Sequence, residues 1–184
     1  MNLVRLADVQ PSPWRNGGGS TRELLAWPDS TNWDWRLSVA EVASDGPFSR
    51  FDGVTRWFAV LQGEGVRLDI NGQVHALTRS SPPLCFDGGL PTGCTLIAGA
   101  TQDFNLMLRQ GRARARMLRV AGSHGVTLDT ACTVAVYLAQ GPGHLGRKTG
   151  RLDLQAGTLV WGRVAAGEAL SLHAPEALWM EIAA

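Results

Sequence analysis

Glycine and proline interrupt this chain at short intervals, and that spacing is what most restricts its fold. The 184 residues include 22 glycines and nine prolines, and turn signals recur roughly every eight to twelve residues between short apolar or alternating runs. Few segments keep a helical period for long. The pattern predicts an all-β sandwich or barrel. In "VRLDINGQVHAL", Asn71 and Gly72 predict a hairpin, because both positions of its turn need positive φ.

Three pairs of segments indicate that the two halves of the chain are related. "FAVLQGEGVRL" resembles "VAVYLAQGPGHL", "PPLCFDG" resembles "AGTLVWG", and "DFNLML" resembles "ALWMEI". Offsets of 77, 75 and 74 residues align Leu61 with Leu138, Phe86 with Trp161, and Leu106 with Met180. A repeat of that length indicates a duplicated domain. We therefore expect two similar β-barrels, residues 1–110 and 111–184, packed as one compact body.

Composition argues against several kinds of partner. The chain carries 17 basic and 16 acidic residues, so we expect neither a nucleic acid nor a membrane as partner. The basic run "RQGRARARMLR" lacks the aromatic side chains on which single strands stack. There is no signal-peptide pattern and no long apolar run. Cys85, Cys94 and Cys132 are odd in number without C-x-x-C spacing, which predicts reduced, mostly buried thiols and a cytoplasmic protein.

The familiar metal-binding and catalytic motifs are missing from the sequence. His75, His124, His144 and His173 form neither H-x-H nor H-E-x-x-H, so we expect no metal and no cofactor. His144 and His173 suggest surface positions at strand ends or in loops. No G-x-S-x-G occurs, and "RNGGGST" does not match the phosphate-loop pattern because no Gly-Lys-Ser/Thr ends it.

The "RNGGGST" stretch has two interpretations that the sequence leaves open. Its glycines could simply permit a tight reversal of the chain. Alternatively, the bare backbone lets Asn16, Thr21, Arg22 and Glu23 crowd around a small ligand, with main-chain N–H groups close to an anion.

Polar residues alternate with apolar ones in two strand-like segments. "WDWRLSVAE" sets Arg36 and Ser38 against an apolar face, and "DFNLMLR" does the same with Asn105 and Arg109. The polar face could meet solvent, or it could line the lumen of a barrel that holds a ligand. In the second case Arg36, with Arg56 from "GVTRWF", offers forked donors that suit a carboxylate.

Taken together, these segments resemble the HutD/Ves family, and the HutD branch more closely than Ves. The carrying motifs are "WRNGGGSTREL", "WDWRLSVAEVASDGPFSRFDG", Arg56 and "DFNLMLR", which cover most of residues 14–109. The resemblance implies two cupin-like barrels (a bicupin) and a role in tuning bacterial histidine utilisation. It also implies a metal-free site for a carboxylate intermediate such as urocanate or N-formylglutamate, and no established catalytic activity.

By this resemblance, Arg36 and Arg56 are the first candidates for binding a carboxylate, with Ser38 and Thr21 as hydroxyl donors. The full set of candidate ligand residues is Asn16, Thr21, Arg22, Glu23, Arg36, Ser38, Arg56, Asn105 and Arg109.

Three functions remain open at this point. The first is a metal-free binding protein, in which Glu23 could hold an arginine and Arg22 could pair with a carboxylate across the barrel. The second is a metal-free isomerase or hydrolase with Glu23 or His75 as general base. The third is an interaction module, with the second barrel forming a homodimer or docking to another protein. Arginine, amide and hydroxyl groups bind anions well and transfer protons poorly near neutral pH, which favours binding over catalysis.

Overall fold

The computed structural model describes residues 1–183, which consist almost wholly of antiparallel β-strands. Within them the one helical element is the 3-10 turn Leu6–Asp8, and no helix is long and apolar enough to cross a membrane. The predicted all-β fold with little helix is confirmed. The first eleven strands are β1 (Asn2–Arg5), β2 (Ser12–Pro13), β3 (Gly19–Trp27), β4 (Trp35–Val42), β5 (Gly46–Pro47), β6 (Val54–Gln62), β7 (Val66–Ile70), β8 (Gln73–Leu77), β9 (Leu84–Asp87), β10 (Thr92–Leu96) and β11 (Thr101–Arg109). The remaining six are β12 (Arg114–Thr127), β13 (Cys132–Gln140), β14 (Gly143–Arg147), β15 (Gly150–Leu154), β16 (Thr158–Val164) and β17 (Ala169–Ala183).

The chain divides into two units, and the division differs from the expected one at the N-terminus. One unit is Val9–Ala113, and the other joins Met1–Asp8 to the residues from Arg114 onward. The first residues lie in the second unit because β1 pairs with β16, and the backbone N–H of Leu6 donates to the carbonyl of Gly157 at 2.8 Å. β1 thereby supplies hydrogen-bond partners to a strand that would otherwise end the sheet.

Two sheets form the unit of residues 9–113. The six-stranded sheet has the order β2-β3-β4-β11-β6-β9, and the four-stranded sheet has the order β5-β10-β7-β8. The apolar core draws side chains from both sheets and therefore lies between them. Its buried members are Val42, Phe48, Phe58, Val60, Val66, Leu68, Ile70, Leu77 and Cys94.

A single curled sheet forms the other unit. Its order is β1-β16-β13-β17-β14-β15, with β12 along the free side of β17. β17 pairs with β13 through residues 176–182 and with β14 through residues 170–173. The sheet therefore turns at β17, and the register between β12 and β17 shifts at the same level, between Val120 and Gly122.

Strand pairing repeats one topology in the two units. β11 lies between β4 and β6, and β6 continues to β9. In the same way β17 lies between β12 and β13, and β13 continues to β16. The hairpin β7–β8 has its counterpart in β14–β15. Leu106 pairs with Trp57 on β6, and Met180 pairs with Ala135 on β13. The predicted match of Leu106 with Met180 therefore agrees with this shared topology.

The other two predicted alignments, Leu61 with Leu138 and Phe86 with Trp161, are wrong by one residue. In the register set by β11 and β17, Val60 takes the position that matches Leu138. A slip of one residue moves a side chain to the other face of its strand. Both segments are apolar on consecutive residues, so their hydrophobic pattern could not fix the register.

The predicted hairpin at Asn71 and Gly72 is confirmed. Ile70 pairs with Gln73 across a two-residue turn, in which φ is 50° at Asn71 and 88° at Gly72.

We expect Gly72→Ala to lower the free energy of unfolding by about 1–2 kcal/mol, because a Cβ is strained in the left-handed region. Gly93→Ala, in the neighbouring β10, is the matched control. An added Cβ meets no atom within 4 Å at either position, but Gly93 has no positive φ. Chemical denaturation measures both variants, and equal losses would contradict the assignment of the cost to φ.

Candidate ligand-binding cavity

A cavity of about 550 Å³ opens in the unit of residues 9–113, within the size range of small-molecule sites. Neighbouring strands of the six-stranded sheet supply its polar wall, with Arg36 and Ser38 from β4, Arg56 from β6, and Asn105 and Met107 from β11. Residues 13–16, residues 47–49 and Phe51 contribute to the rest of the lining. The polar stripe therefore faces a cavity between the sheets.

The structure brings together six of the nine predicted ligand residues. Because β11 pairs with both β4 and β6, alternate residues of the three strands share one face. The six in the lining are Asn16, Thr21, Arg36, Ser38, Arg56 and Asn105. The other three, Arg22, Glu23 and Arg109, are not part of it.

Arg22 and Glu23 act on their neighbours. Nη1 of Arg22 donates to Oε1 of Glu41 at 2.7 Å, a carboxylate on the adjacent strand β4. Glu23 accepts a hydrogen bond from the hydroxyl of Ser30 at 2.8 Å, and its other carboxylate oxygen lies 3.6 Å from Nη1 of Arg36. Arg22 thus has its own ion pair, and Glu23 supports Arg36.

Arg109 lies over the ring of Trp33, 5.2 Å from the ring centre. His75 lies on β8 and, like Glu23, is outside the lining. Neither residue suggested as a general base therefore reaches the cavity wall.

A turn built on glycine brings the N-terminal segment to the cavity. The backbone N–H of Trp14 donates to the carbonyl of Gly19 at 2.9 Å, and that of Gly17 donates to the carbonyl of Trp14 at 3.0 Å. Gly17 has a φ of 72°, and a Cβ at Gly19 would collide with the carbonyl oxygen of Glu41. The "GGG" run thus serves one left-handed residue and one close approach of strands.

Several lining residues escaped prediction from the sequence. Trp14 and Arg15 lie inside the "WRNGGGSTREL" motif, and Phe48 and Phe51 lie inside "GPFSRFDG". Trp14, Phe48 and Phe51 are aromatic, and an argument from anion-binding chemistry does not point to aromatic side chains, whereas Arg15 is a polar residue of the same motif. The signal that could have identified them is their position in the same motifs as the polar candidates.

Arg56 is the deeply buried charge of the cavity wall, only 7% exposed. Its Nε and Nη2 donate to Oδ1 of Asn105 at 2.9 and 2.6 Å, and its guanidinium carbon lies 4.4 Å from the ring centre of Phe48. Within residues 1–183, Nη1 is left without a hydrogen bond to protein. Burial lowers the pKa of Arg56 to about 10, so the side chain stays charged at neutral pH.

Arg36 is a second cation of the same cavity. Its Nη2 donates to the sulfur of Met107 at 3.2 Å, and its buried Nε has no hydrogen-bond partner. Burial lowers the pKa of Arg36, and the charge of Glu23 opposes that shift. Burial is the main cause of the lowered pKa of Arg56, and the charge of Asp103 opposes it. The nearby positive charge of Arg36 lowers the pKa of Arg56 further. The cavity therefore holds two positive charges, and an anion between them would offset their mutual repulsion.

Asp103 lies on β11, two residues before Asn105, and is fully buried. Its Oδ2 accepts a hydrogen bond from the hydroxyl of Thr101 at 2.7 Å, and its Oδ1 has no partner. Burial raises the pKa of Asp103 to about 7, against the opposing effects of Thr101 and of the charge on Arg56. A carboxyl that is partly protonated at neutral pH compensates Arg56 only in part.

Histidine, cysteine and acidic side chains are not gathered in threes in the part of the chain that the structure describes. Within residues 1–183, no three His, Cys, Asp or Glu side chains are grouped to hold an ion. The cysteines are free, with Cys94 and Cys132 buried as expected. Cys85 is exposed, contrary to expectation, because it faces outward from the edge strand β9.

Comparison with known proteins gives a consistent picture. A family model described as HutD matches residues 6–180. An uncharacterized 21.2 kDa protein in the hutC 3′ region of Pseudomonas putida is 35% identical, over 84% of this chain and 83% of the relative. Protein Ves of Citrobacter koseri is 37% identical over 77% of this chain and 75% of the relative. The structure of HutD from Pseudomonas fluorescens SBW25 superposes with a TM-score of 0.87 at 30% identity, covering 98% of this chain and 97% of that one.

A more distant structure bears on the fold alone. Salicylate 1,2-dioxygenase from Pseudoaminobacter salicylatoxidans, which has a cupin fold, superposes with a TM-score of 0.64 at 9% identity, covering 92% of this chain and 76% of that one. The expected pair of cupin-like barrels from a duplicated half is confirmed.

We expect Asp103→Asn to remove one pH-dependent contribution to stability. The pKa of Asp103 is raised in the folded state from an ordinary 3.8 to about 7, so the folded state binds the proton more tightly. Its contribution is full below about pH 4 and is lost as the pH rises to about 7, with a slope of at most about 1.4 kcal/mol per pH unit. Urea denaturation from pH 4 to 8 measures it. The exposed Asp129→Asn is the control, and a wild-type profile for Asp103→Asn would contradict the assignment.

Proposed function

Because the chain belongs to the HutD family, we propose that it is a binding protein for a small carboxylate, with its site in the cavity of residues 9–113. The ligand is an intermediate of bacterial histidine utilisation, such as urocanate or N-formylglutamate, and its binding tunes the pathway. Two relatives support this assignment, one named for the hutC 3′ region and the other named HutD. A cytoplasmic location belongs to the proposal, and three free thiols are in keeping with a reducing compartment.

The observation that carries the proposal is the buried charge of Arg56. Its only hydrogen-bond acceptor among the described residues is the neutral amide of Asn105. Burying a charge without an opposite charge is costly, and the nearby carboxyl of Asp103 is only partly ionised near pH 7. An anion in the cavity would supply the missing counter-charge.

The remaining lining suits a ligand with a carboxylate at one end and an apolar body. Arg36 offers a second guanidinium for the carboxylate, and Ser38 offers a hydroxyl. Charge-assisted bonds from forked guanidinium groups are the strong and directional way to hold such a group. Phe48 and Phe51 provide apolar surface for the rest of the molecule.

The chemistry of the lining favours binding over turnover. Among the residues that line the cavity, none is His, Cys, Asp or Glu. General acid–base catalysis needs a group that exchanges a proton near the working pH, and metal ligation draws on these same residue types. A site made of arginine, amide and hydroxyl groups holds a carboxylate without a metal ion.

We expect Arg56→Met to weaken binding of urocanate or N-formylglutamate by about 2–5 kcal/mol, because it removes a desolvated partner of the carboxylate. This corresponds to a rise in Kd from about 30-fold to several thousand-fold. Ser38→Ala, which removes a single hydroxyl, should cost about 1 kcal/mol. Isothermal titration with EDTA present throughout measures each variant.

Arg22→Met is the matched control, because Arg22 pairs with Glu41 and is outside the lining. Its affinity should equal that of the wild type. Melting temperatures confirm that each variant is folded. The proposal fails if neither compound binds the wild type in the presence of EDTA, or if folded Arg56→Met binds as tightly as the wild type.

A further inference from the structure

His144 and His173 are distant in sequence but lie side by side on adjacent strands. They are directly paired between β14 and β17, and their ring centres are 5.4 Å apart. The same line of pairing continues to Ser123 on β12 and to Asp153 on β15. Residues directly opposite each other on paired strands share a face. Ser123, His173, His144 and Asp153 therefore form one row across the sheet, called here the histidine row.

The histidine row lies on the outer face of the sheet. Ser123 and His173 are exposed, whereas Leu172, the neighbour of His173 along β17, belongs to the apolar core. His124 has the opposite orientation to Ser123, and its ring packs against the buried Trp179 with centres 5.0 Å apart. The row is thus available from solvent, and His124 is not part of it.

The next row on the same face consists of small residues. Ser171 pairs there with Gly125 on one side and Gly146 on the other. Gly125 has no side chain, and a depression of about 460 Å³ lies there beside the two histidines, whereas the hydroxyl of Ser171 fills the place of a side chain at Gly146. This space can accommodate an ion together with water molecules.

Ser123 orients one of the two rings. Its hydroxyl oxygen lies 3.0 Å from Nδ1 of His173. In the tautomer whose Nδ1–H donates to Ser123, Nε2 of His173 carries the free lone pair that a metal needs. A hydrogen bond to the second ring nitrogen is the usual companion of histidine ligation.

We propose that His144 and His173 bind a divalent transition-metal ion of the Zn²⁺, Ni²⁺ or Cu²⁺ class on the outer face of this unit. Imidazole is a ligand that suits these borderline ions. Two nitrogens at about 2.0–2.1 Å from one ion lie within about 4 Å of each other, a spacing that rings with centres 5.4 Å apart reach by small rotations. The site is separate from the arginine-lined cavity, which belongs to the unit of residues 9–113.

Water completes the coordination of the ion in this site. His124 also lines the depression but packs its ring against Trp179, and no three His, Cys, Asp or Glu side chains in residues 1–183 are grouped to hold an ion. Asp153, at the end of the row, is bound by Nε of Arg151 at 2.8 Å. Two protein ligands make an exchangeable site, weaker than the closed four-ligand sites of structural zinc.

Titration of the untagged full chain with ZnCl₂ in a non-coordinating buffer at pH 7.5 tests the site. We expect one ion per chain and a rise in melting temperature. His144→Gln and His173→Gln should each weaken binding roughly tenfold or more, because each removes one of two ligands. Both side chains reach the surface, so the variants should fold, which circular dichroism checks. His75→Gln, on β8 of the other unit, should bind like the wild type.

MgCl₂ provides a control for ion class, since Mg²⁺ prefers oxygen ligands. It should give neither heat nor stabilisation. The proposal is overturned if the double variant His144→Gln/His173→Gln keeps the stoichiometry and affinity of the wild type, if His75→Gln abolishes binding, or if Mg²⁺ binds as Zn²⁺ does.

Discussion

The cavity in the unit of residues 9–113 depends on how one charged group, the guanidinium of Arg56, is held between two β-sheets. Arg56 would be expensive in such an interior without specific support. Asn105, from the neighbouring strand, accepts two of its hydrogen bonds, and the ring of Phe48 covers one face of the guanidinium. Asp103 is close enough to oppose the lowering of its pKa, yet burial keeps that carboxyl partly protonated near pH 7. These conditions preserve a positive charge that the protein itself neutralises only in part.

The second unit has the same strand pairing, but the matched positions there carry apolar side chains that fill a core. In matched register, Trp179 occupies the position of Asn105, and Val134 occupies the position of Arg56. Both Trp179 and Val134 are fully buried members of an apolar core. A large ring fills the space in which the first unit holds polar groups around a cavity. At these matched positions one unit has a polar cavity and the other a filled apolar core. The histidine row of the second unit lies on its outer face.

The sequence could predict the faces of strands better than the surroundings of those faces. Period-two alternation correctly grouped Arg36 with Ser38, but it could not decide between solvent and lumen, because that depends on a second sheet formed by distant residues. Local turn chemistry was sufficient for the hairpin at Asn71. The pairing of His144 with His173 was beyond reach, since it requires the non-local register of β14 on β17. The position of β1 in the second unit was missed for the same reason.

The two arginines of the cavity are held in different ways, and the difference bears on recognition. The amide oxygen of Asn105 accepts hydrogen bonds from Nε and Nη2 of Arg56 and so fixes one edge of the guanidinium. Nη1 is not used in these bonds. Arg36 donates to the sulfur of Met107, a weak acceptor that a carboxylate oxygen can replace at little cost. Glu23, whose carboxylate lies 3.6 Å from Nη1 of Arg36, offsets part of the charge of Arg36. In the proposed binding mode, Arg56 is a rigid anchor and Arg36 an adjustable one, so the same pair would hold carboxylates of different length.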